Sequence, residues 1–437
     1  RPDETTGAAN YFPAVLDVAS AAPLIWQHTF LANGQTAGWL SPADIDTQIR
    51  TTRQRFDETV LWLSFGDAAA PGTRRWRSMT TVLETTGRDL PRAEYLEFYV
   101  RAPAGHGLAL VFDIGTVGED AFYFDEAGRT NGVYEGDGGA PWGLGILDEE
   151  ARVLDREIWG TLHDQRGLWD QPCSGQRGAT YPLGDPRANC TRSNGRPDTE
   201  DLDGNGILSA ADGQYFRYVV PLDEVTEYLV RDAGAGGTGT QFRLYRIPLR
   251  GAGATPIGAS DATWRYIKHL RLSVTGVTSD TTRLGIARMR FVGSRWSKRE
   301  VHGIIGGLLG TDPGAGAAST RLQVGPVSLL TDDGYVSPPG VSIQPSDLSS
   351  GFGATGVEFT ESSLRLAYES LAPDERGEVY YRYPQQPRNL LSYRQMRFWA
   401  VARAGNWGPT GTERLLVKVG TDAHNYYLYR MDLREAP

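Results

Sequence analysis

The acidic stretch DTEDLDGNGILSAAD, residues 198 to 212, carries the side chains of this sequence that are best suited to binding a metal ion. Calcium takes about six to eight oxygen ligands, and a loop of about twelve residues supplies them from alternating positions around a central glycine. Counted in that way, the ligands are Asp201, Asp203, Asn205, the Ile207 carbonyl, Ser209 and Asp212. The spacing therefore predicts one calcium site, to which Asp198 and Glu200 could add a ligand.

Two features set this loop apart from a calcium sensor. Asp212 stands where a longer glutamate usually closes the loop with both oxygens. The preceding RSNGRP does not favour a helix, so the paired helices of an EF-hand are not expected. The loop is predicted to act as a structural clamp. The alternative is an acidic surface turn that uses Asp-Gly and Asn-Gly for their backbone geometry.

The two cysteines of the chain, Cys173 and Cys190, bracket a polar segment just upstream of the acidic loop. No further thiol or nearby histidine completes a zinc site, which needs four nitrogen or sulfur ligands. A disulfide is therefore expected, and it would imply an oxidising compartment. Two unpaired thiols are the alternative.

Alternating apolar residues predict the strands that must hold these loops in place. In YLEFYV, Leu96, Phe98 and Val100 share one face, and LALVFDIG repeats the pattern from Leu108 to Ile114. Each is predicted to be a half-buried strand. Together with 53 Gly and 25 Pro, such strands predict an all-β chain built as a sandwich or a barrel.

The strand pattern occurs twice, because DLPRAEYLEFYVRA in the first half parallels NLLSYRQMRFWAVA in the second. We expect the second sandwich to be C-terminally incomplete, and the chain, which begins at Arg1, to be a fragment or a processed product. The predicted organisation is an N-terminal extension (1–22), a β-sandwich (23–300) with an insertion at about 131–215 carrying the disulfide and the calcium loop, a Gly-rich linker (301–322) and a second, related sandwich (323–437).

Several functional classes are not expected from the sequence. The net charge of −9 and the lack of a basic run argue against a nucleic-acid surface. The longest apolar run, VHGIIGGLLG, is too short for a spanning helix. The histidines are scattered singly, and no HExxH, GxSxG or P-loop motif is present. The pairs Glu119/Asp120 and Glu149/Glu150 could serve a glycosidase, but adjacent acids on a strand face opposite ways. We therefore expect no enzymatic activity.

An ordered series of segments resembles the SprA family, the giant outer-membrane translocons of type IX secretion and gliding motility. The segments are YLEFYV, GEDAFYF, NGRPDTEDLDGNG, FRLYRIPL, WRYIKHLRLSVTG and LGIARMRFVGSRW, followed by LRLAYESL, GEVYYRY, LLSYRQMRFWAVA and VGTDAHNYYLYRMDL. The resemblance spans roughly residues 55 to 437. By position, Asp198 to Asn205 corresponds to an Asp/Asn-rich stretch of that family.

The resemblance implies a soluble, non-catalytic, jelly-roll-like portion of a very large β-barrel protein that exports folded cargo. The implied location is the outer membrane, on its cell-surface or periplasmic side. The implied partners are other parts of the same translocon, its outer-membrane partner proteins and exported cargo, with no nucleic acid. The chain itself is not expected to span the membrane.

A second hypothesis is an extracellular carbohydrate-binding or carbohydrate-active β-sandwich protein. Sandwiches that hold calcium and expose tryptophans commonly bind glycans, although tryptophans in alternating strands also serve as core residues. The candidate stacking residues are Trp62, Trp76, Trp142, Trp159, Trp169, Trp264, Trp296, Trp399 and Trp407.

Overall fold

The structure is a computed structural model whose chain divides into two compact units. Unit 1 comprises Arg1–Val292, Ser328–Asp333 and Ile343–Glu361, and unit 2 comprises Gly293–Val327, Gly334–Ser342 and Ser362–Pro437. The structure describes residues 24–28, 40–51, 58, 60–65, 75–103, 107–118, 202–203, 213–222, 226–232, 242–250, 253–277, 283–301, 322–332, 334–339, 358–359, 361–370, 376–383, 388–421 and 425–433. The predicted N-terminal extension, nearly all of the predicted linker and most of the predicted insertion lie outside these residues.

Strands dominate the described residues, as the alternating sequence pattern predicts. In chain order they are β1 (Leu24–His28), β2 (Arg50–Thr51), β3 (Val60–Phe65), β4 (Arg75–Val82), β5 (Ala93–Arg101), β6 (Ala109–Gly115), β7 (Tyr215–Pro221), β8 (Leu229–Asp232), β9 (Arg243–Pro248), β10 (Thr255–Ile257), β11 (His269–Val277), β12 (Arg283–Gly293), β13 (Ser297–Val301), β14 (Leu322–Ser328), β15 (Glu358–Phe359), β16 (Ser362–Tyr368), β17 (Arg376–Tyr380), β18 (Leu415–Gly420) and β19 (Tyr426–Met431).

Among the described residues, helical structure is confined to short pieces. The helix α1 (Pro42–Ile45) begins with a capping box in which Ser41 and Asp44 bond each other's backbone, and a 3₁₀ turn covers Asp261–Arg265. Within the described part of the chain, no helix has the length and apolar character needed to cross a bilayer.

Unit 1 is a sandwich of two antiparallel sheets, which confirms the predicted all-β class. One sheet has six strands in the order β1-β3-β12-β5-β9-β8, and the other has five in the order β10-β7-β6-β11-β4. Phe98 from the six-stranded sheet meets Phe112 from the five-stranded sheet with ring centroids 4.9 Å apart. Both rings are fully buried, and burial of such a side chain contributes about 2–3 kcal/mol to folding.

The two central strands of the sandwich are covered on both faces. In β6 every residue is buried, including the outward-facing Val111 and Asp113, and β5 is nearly as enclosed. The prediction of half-buried strands at these positions is therefore wrong. Alternation identified the inner face correctly, but it does not report a second layer over the outer face. On the six-stranded sheet that layer is a smaller cluster, in which Ile45 and Leu330 pack near Trp62.

The described residues of unit 2 form three two-stranded ladders, β13-β17, β14-β16 and β18-β19. Its strands follow the first half of unit 1 in order, because β14 pairs with β16 as β1 pairs with β3, and β18 pairs with β19 as β6 pairs with β7. The sequence repeat is therefore accompanied by a repeat of strand pairing.

Candidate functional site

The predicted insertion leaves and re-enters unit 1 at one end of the β6–β7 ladder. Register runs from Ala109 opposite Pro221 to Gly115 opposite Tyr215. Beyond the strands it continues, since the Thr116 N–H donates to the Gln214 carbonyl at 2.9 Å and the Gly213 N–H donates to the Thr116 carbonyl at 3.1 Å. The residues in between therefore connect two neighbouring antiparallel strands.

Gly115 is required at this end of the ladder. Its φ is +154°, and a Cβ atom there would lie 2.6 Å from the Tyr215 Cα and would overlap the Gln214 carbonyl oxygen. No side chain can be accommodated at such distances, so the close approach of the two strands selects glycine.

Asp203 is the one predicted calcium ligand within the described residues. Its Oδ2 lies 3.4 Å from the Lys268 Nζ, and its side chain is 10% exposed. Lys268 is fixed by its backbone, because its N–H donates to the Gly115 carbonyl and its carbonyl accepts from the Leu83 N–H. The ion pair therefore connects the acidic segment to the sheet at the point where the insertion starts.

The other predicted ligands and both cysteines lie outside the described residues. They are Asp198, Glu200, Asp201, Asn205, Ile207, Ser209 and Asp212, with Cys173 and Cys190. Among the residues that are described, no three His, Cys, Asp or Glu side chains come together as a metal site. The calcium site and the disulfide therefore stay predictions.

His269 follows Lys268 and is buried on the outer face of the five-stranded sheet. Its Nδ1 accepts a hydrogen bond from the Val117 N–H at 3.3 Å. Burial lowers the pKa of His269, and the neighbouring charges of Lys268 and Arg271 lower it further, while the Asp203 carboxylate acts in the opposite direction.

Two register positions further into the sheet, Asp113 binds two arginines from the strands on either side. Arg217 on β7 contacts it with Nε at 2.7 Å and Nη2 at 3.0 Å, and Arg271 on β11 contacts it with Nε at 2.9 Å and Nη2 at 2.8 Å. All three side chains are 0–1% exposed. We call this group the Asp113 triad.

The contact with Asp113 favours the charged form of Arg217. Burial alone would lower the pKa of Arg217, but the hydrogen bond to Asp113 and its negative charge outweigh burial, so the pKa is raised. The Tyr215 ring lies 5.5 Å from the Arg217 guanidinium carbon and 5.4 Å from that of Arg271, which places the edge of the triad against an aromatic surface.

The six-stranded sheet carries a similar arrangement on its own outer face. Glu97 on β5 contacts Arg246 of β9 at 3.1 Å and Arg290 of β12 at 3.1 Å. Arg246 is buried and lies 3.8 Å above the Tyr95 ring, whereas Arg290 is 49% exposed. This Glu97 triad is therefore open to solvent on one side, unlike the Asp113 triad.

Sequence reasoning did not single out either triad. The signal was present, because Asp113, Arg246 and Arg271 each interrupt an otherwise apolar strand, in LVFDIG, LYRIP and HLRLSV. A charged residue in that position is normally assigned to the solvent face. Only the register, which places opposite charges side by side, shows that these residues pair.

Of the nine candidate tryptophans, Trp142, Trp159 and Trp169 lie outside the described residues, and Trp407 is partly buried. Trp62, Trp76 and Trp264 are 1–2% exposed and belong to the interior of unit 1. Trp296 and Trp399 of unit 2 are 40% and 64% exposed.

The acid pairs considered for a glycosidase lie outside the described residues.

Comparison with known proteins gives no further assignment. No protein-family model matches the sequence, and no curated protein matches it significantly.

Proposed function

We propose that this chain is a non-catalytic structural and interaction region of a SprA-like outer-membrane translocon, in which calcium stiffens the long insertion. The ordered series of motifs across residues 55 to 437 supports the family, and the all-β sandwich of unit 1 fits the fold that the family implies. The main structural support is the ion pair between Asp203 and Lys268, which attaches the acidic segment to the sheet at the end of the β6–β7 ladder.

Calcium binding by Asp203 is compatible with this ion pair. A carboxylate has two oxygens and about four lone pairs, so one oxygen can face a lysine while the other binds a cation. Calcium would then fix the loop relative to the sandwich through Asp203. The role that follows is mechanical, because the loop would present a stable surface rather than a reactive group.

A thermal unfolding experiment tests the calcium part. We expect millimolar calcium to raise the unfolding temperature of the purified chain relative to EDTA, because a ligand that binds only the folded state stabilises it. Asp203→Asn should abolish most of that shift. The control is Asp261→Asn, which removes a carboxylate that is 69% exposed on a surface turn. Calcium binding would be refuted if calcium left the unfolding temperature of the unmodified chain unchanged. Calcium binding through Asp203 would be refuted if calcium raised the unfolding temperature of both variants equally.

A genetic experiment tests the translocon part separately. In the bacterium that encodes the chain, the segment 55–437 would be deleted in frame, and surface display of secreted cargo and gliding would be measured. We expect both to fall while the rest of the protein remains in the outer membrane. Normal export with the deleted protein would contradict the proposed role, whatever the calcium result.

A row of aromatic rings in unit 2 favours carbohydrate binding as the second candidate function. Trp296 lies 5.9 Å from Tyr381, which lies 5.3 Å from Tyr383, and Trp296 and Tyr383 are 40% and 45% exposed. Exposed rings of this kind can stack on sugar faces. A glycan array with the purified chain tests it: a hit that Trp296→Ala removes would favour this function, and an array without hits would eliminate it.

A further inference from the structure

Residues 328–332 and β15 belong to unit 1, although they lie in sequence between two strands of unit 2, β14 and β16. We call these two pieces the strap. Leu330 of the strap is 4% exposed in the smaller cluster on the outer face of the six-stranded sheet, and β15 pairs with β2. The connection between two strands of unit 2 therefore takes part in the packing of unit 1.

A compact turn presents Leu330 to that cluster. The Leu330 N–H donates a hydrogen bond to the Ser328 hydroxyl at 3.3 Å, and the Ser328 N–H donates to the Thr331 Oγ1 at 3.0 Å. The Thr331 and Asp332 N–H groups both donate to the Ser328 carbonyl at 3.0 Å. Serine and threonine side chains favour local bonds of this kind to the nearby backbone. The turn thus fixes Leu330 by contacts of its own, before any contact with the sheet.

The strap covers residues 40–51, which we call the α1 segment. Ile45 of α1 lies in the same cluster as Leu330, above Trp62 of the sheet. At the end of α1, the Asp46 carboxylate accepts a hydrogen bond from the Tyr99 hydroxyl at 3.0 Å. The α1 segment ends in β2, the strand with which β15 pairs. The strap therefore meets the α1 segment at two points, one apolar and one through the backbone.

The repeat relates the strap to the α1 segment. Because β14 pairs with β16 as β1 pairs with β3, the connection that carries the strap corresponds to the connection that carries the α1 segment. The two equivalent connections meet in the β2–β15 pair. The turn of the strap begins at Ser328, the last residue of β14, and β16 begins at Ser362, just after β15. A displacement of the β14–β16 ladder is therefore passed directly to the strap.

The described contacts that hold the strap are few. Its ladder with β2 has two residues on each strand, and Leu330 is its one buried apolar anchor among the described residues. The Trp62 indole N–H is also buried in the covered face without a hydrogen-bond partner among those residues. An unpaired buried donor disfavours the closed arrangement, because water binds the donor once the cover is removed. Elements with so few buried contacts open locally before the whole domain unfolds.

We propose that the strap is a releasable clasp that couples the β14–β16 ladder to the surface of unit 1. When closed, it holds the α1 segment on the six-stranded sheet. When the β14–β16 ladder is displaced, the strap opens, frees the α1 segment and uncovers the apolar face around Trp62. This inference does not depend on calcium binding or on a role in secretion, so it stands or falls separately from the proposed function.

Hydrogen exchange of the full chain, read by mass spectrometry, tests the clasp. Leu330→Ala removes the apolar anchor, so amides of the α1 segment should exchange about tenfold faster. The matched control is Leu329→Ala, which makes the same change at a neighbouring side chain that is 42% exposed, and it should leave exchange unchanged. Peptides from β6 and β7, in the other sheet, should respond to neither variant.

Hydroxyl-radical footprinting provides a second readout at the covered face. In the unmodified chain Trp62, Trp76 and Trp264 are all 1–2% exposed, so all three should be protected from labelling. Leu330→Ala should increase the labelling of Trp62 and leave the other two protected. Leu329→Ala should change none of them.

A cysteine pair across the β2–β15 ladder tests the closed state directly. Thr51 and Glu358 are opposite each other, and opposed residues of antiparallel strands have Cα atoms about 4.5 to 5.5 Å apart, which a disulfide can span. Thr51→Cys combined with Glu358→Cys should therefore form a bridge, identified as a linked peptide by mass spectrometry. With the bridge formed, Leu330→Ala should no longer accelerate exchange in the α1 segment, and reduction of the bridge should restore the acceleration.

Four results would overturn the proposal. The first is an equal response of the α1 segment to Leu330→Ala and Leu329→Ala. The second is an acceleration by Leu330→Ala that extends equally to β6 and β7, which would make Leu330 an ordinary core residue of the whole unit. The third is failure of the cysteine pair to form a bridge, and the fourth is an acceleration that the bridge does not suppress.

Discussion

Replacement of Asp113 by alanine should be among the most damaging single changes in unit 1. The carboxylate accepts four contacts of 2.7–3.0 Å from Arg217 and Arg271, and all three side chains are buried. At about 3 Å and an effective dielectric constant of about 20, each pair attracts by roughly 5 kcal/mol. Removal of the carboxylate leaves two uncompensated buried cations, for which the expected loss is about 3–5 kcal/mol.

Hydrogen exchange read by mass spectrometry is the suitable assay, because a chain with two units need not unfold in one transition. Peptides that cover β6, β7 and β11 should exchange about two to three orders of magnitude faster in Asp113→Ala, whereas peptides from unit 2 should be unchanged. The matched control is Glu97→Ala. Its partner Arg290 is 49% exposed and can be hydrated, so the loss should be smaller.

A triple replacement separates charge from packing. Asp113→Leu combined with Arg217→Met and Arg271→Leu removes all three charges while approximately keeping side-chain volume, and it should recover most of the stability lost in Asp113→Ala. If Asp113→Ala changes the amide exchange rates of unit 1 by less than about threefold, the triad contributes little to its stability, and the argument from buried charge is refuted. If the triple variant is as unstable as the single one, the loss arises from packing rather than from unpaired charge.

Three further predictions follow from the described contacts. Because the pKa of His269 is lowered from 6.5 in the folded state, the unfolded state takes up a proton first. The free energy of unfolding should fall as pH drops below about 6.5, until the pKa of His269 in the folded state is passed. His269→Gln should reduce this dependence of stability on pH, measured by urea titration at several pH values. An unchanged pH dependence would show that His269 is not its source. Gly276→Ala should lower the free energy of unfolding by about 1–3 kcal/mol, because φ is +80° and a Cβ would overlap the Gly107 carbonyl. Gly258→Ala, at φ +61° with open space around it, should lower it by only about 1 kcal/mol. Equal losses in denaturant melts would show that the overlap at Gly276 is relieved. Tyr99→Phe should cost about 1–2 kcal/mol, since its hydroxyl donates to the buried Asp46 carboxylate at 3.0 Å, and a neutral result in the same melts would mean that water replaces it.

The sequence was most informative about the sandwich interior. Leu96, Phe98 and Val100 were assigned to one face from alternation alone, and all three are buried between the sheets, since a strand side chain has only two directions to choose from. The same rule failed for the outer faces. Whether Asp113 meets solvent or two arginines depends on which strands become its neighbours, and that pairing joins residues more than 100 positions apart.

The candidate site was predictable to a smaller degree. Ligand spacing selected Asp203 as a calcium ligand, which stays a prediction. The contact of Asp203 with Lys268 was not foreseen, because it depends on where the chain leaves the sheet. The sequence repeat did foresee a second set of strands. It did not show that Tyr393–Val401, unlike β5, would form no ladder with any strand among the described residues, because strand pairing depends on the neighbouring segments.

The junction where Thr116 and Gly213 bond each other has a consequence for how unit 1 tolerates change. Residues 117–212 stand between the two bonded positions, and the closure entropy of a chain segment grows only with the logarithm of its length. The contact between Asp113 and Arg217 joins the same two strands within the sheet and does not depend on the length of the connecting segment. The sandwich can therefore host loops of very different length between β6 and β7 at little extra cost. This makes the junction a site at which whole segments can be exchanged while the sheets are kept.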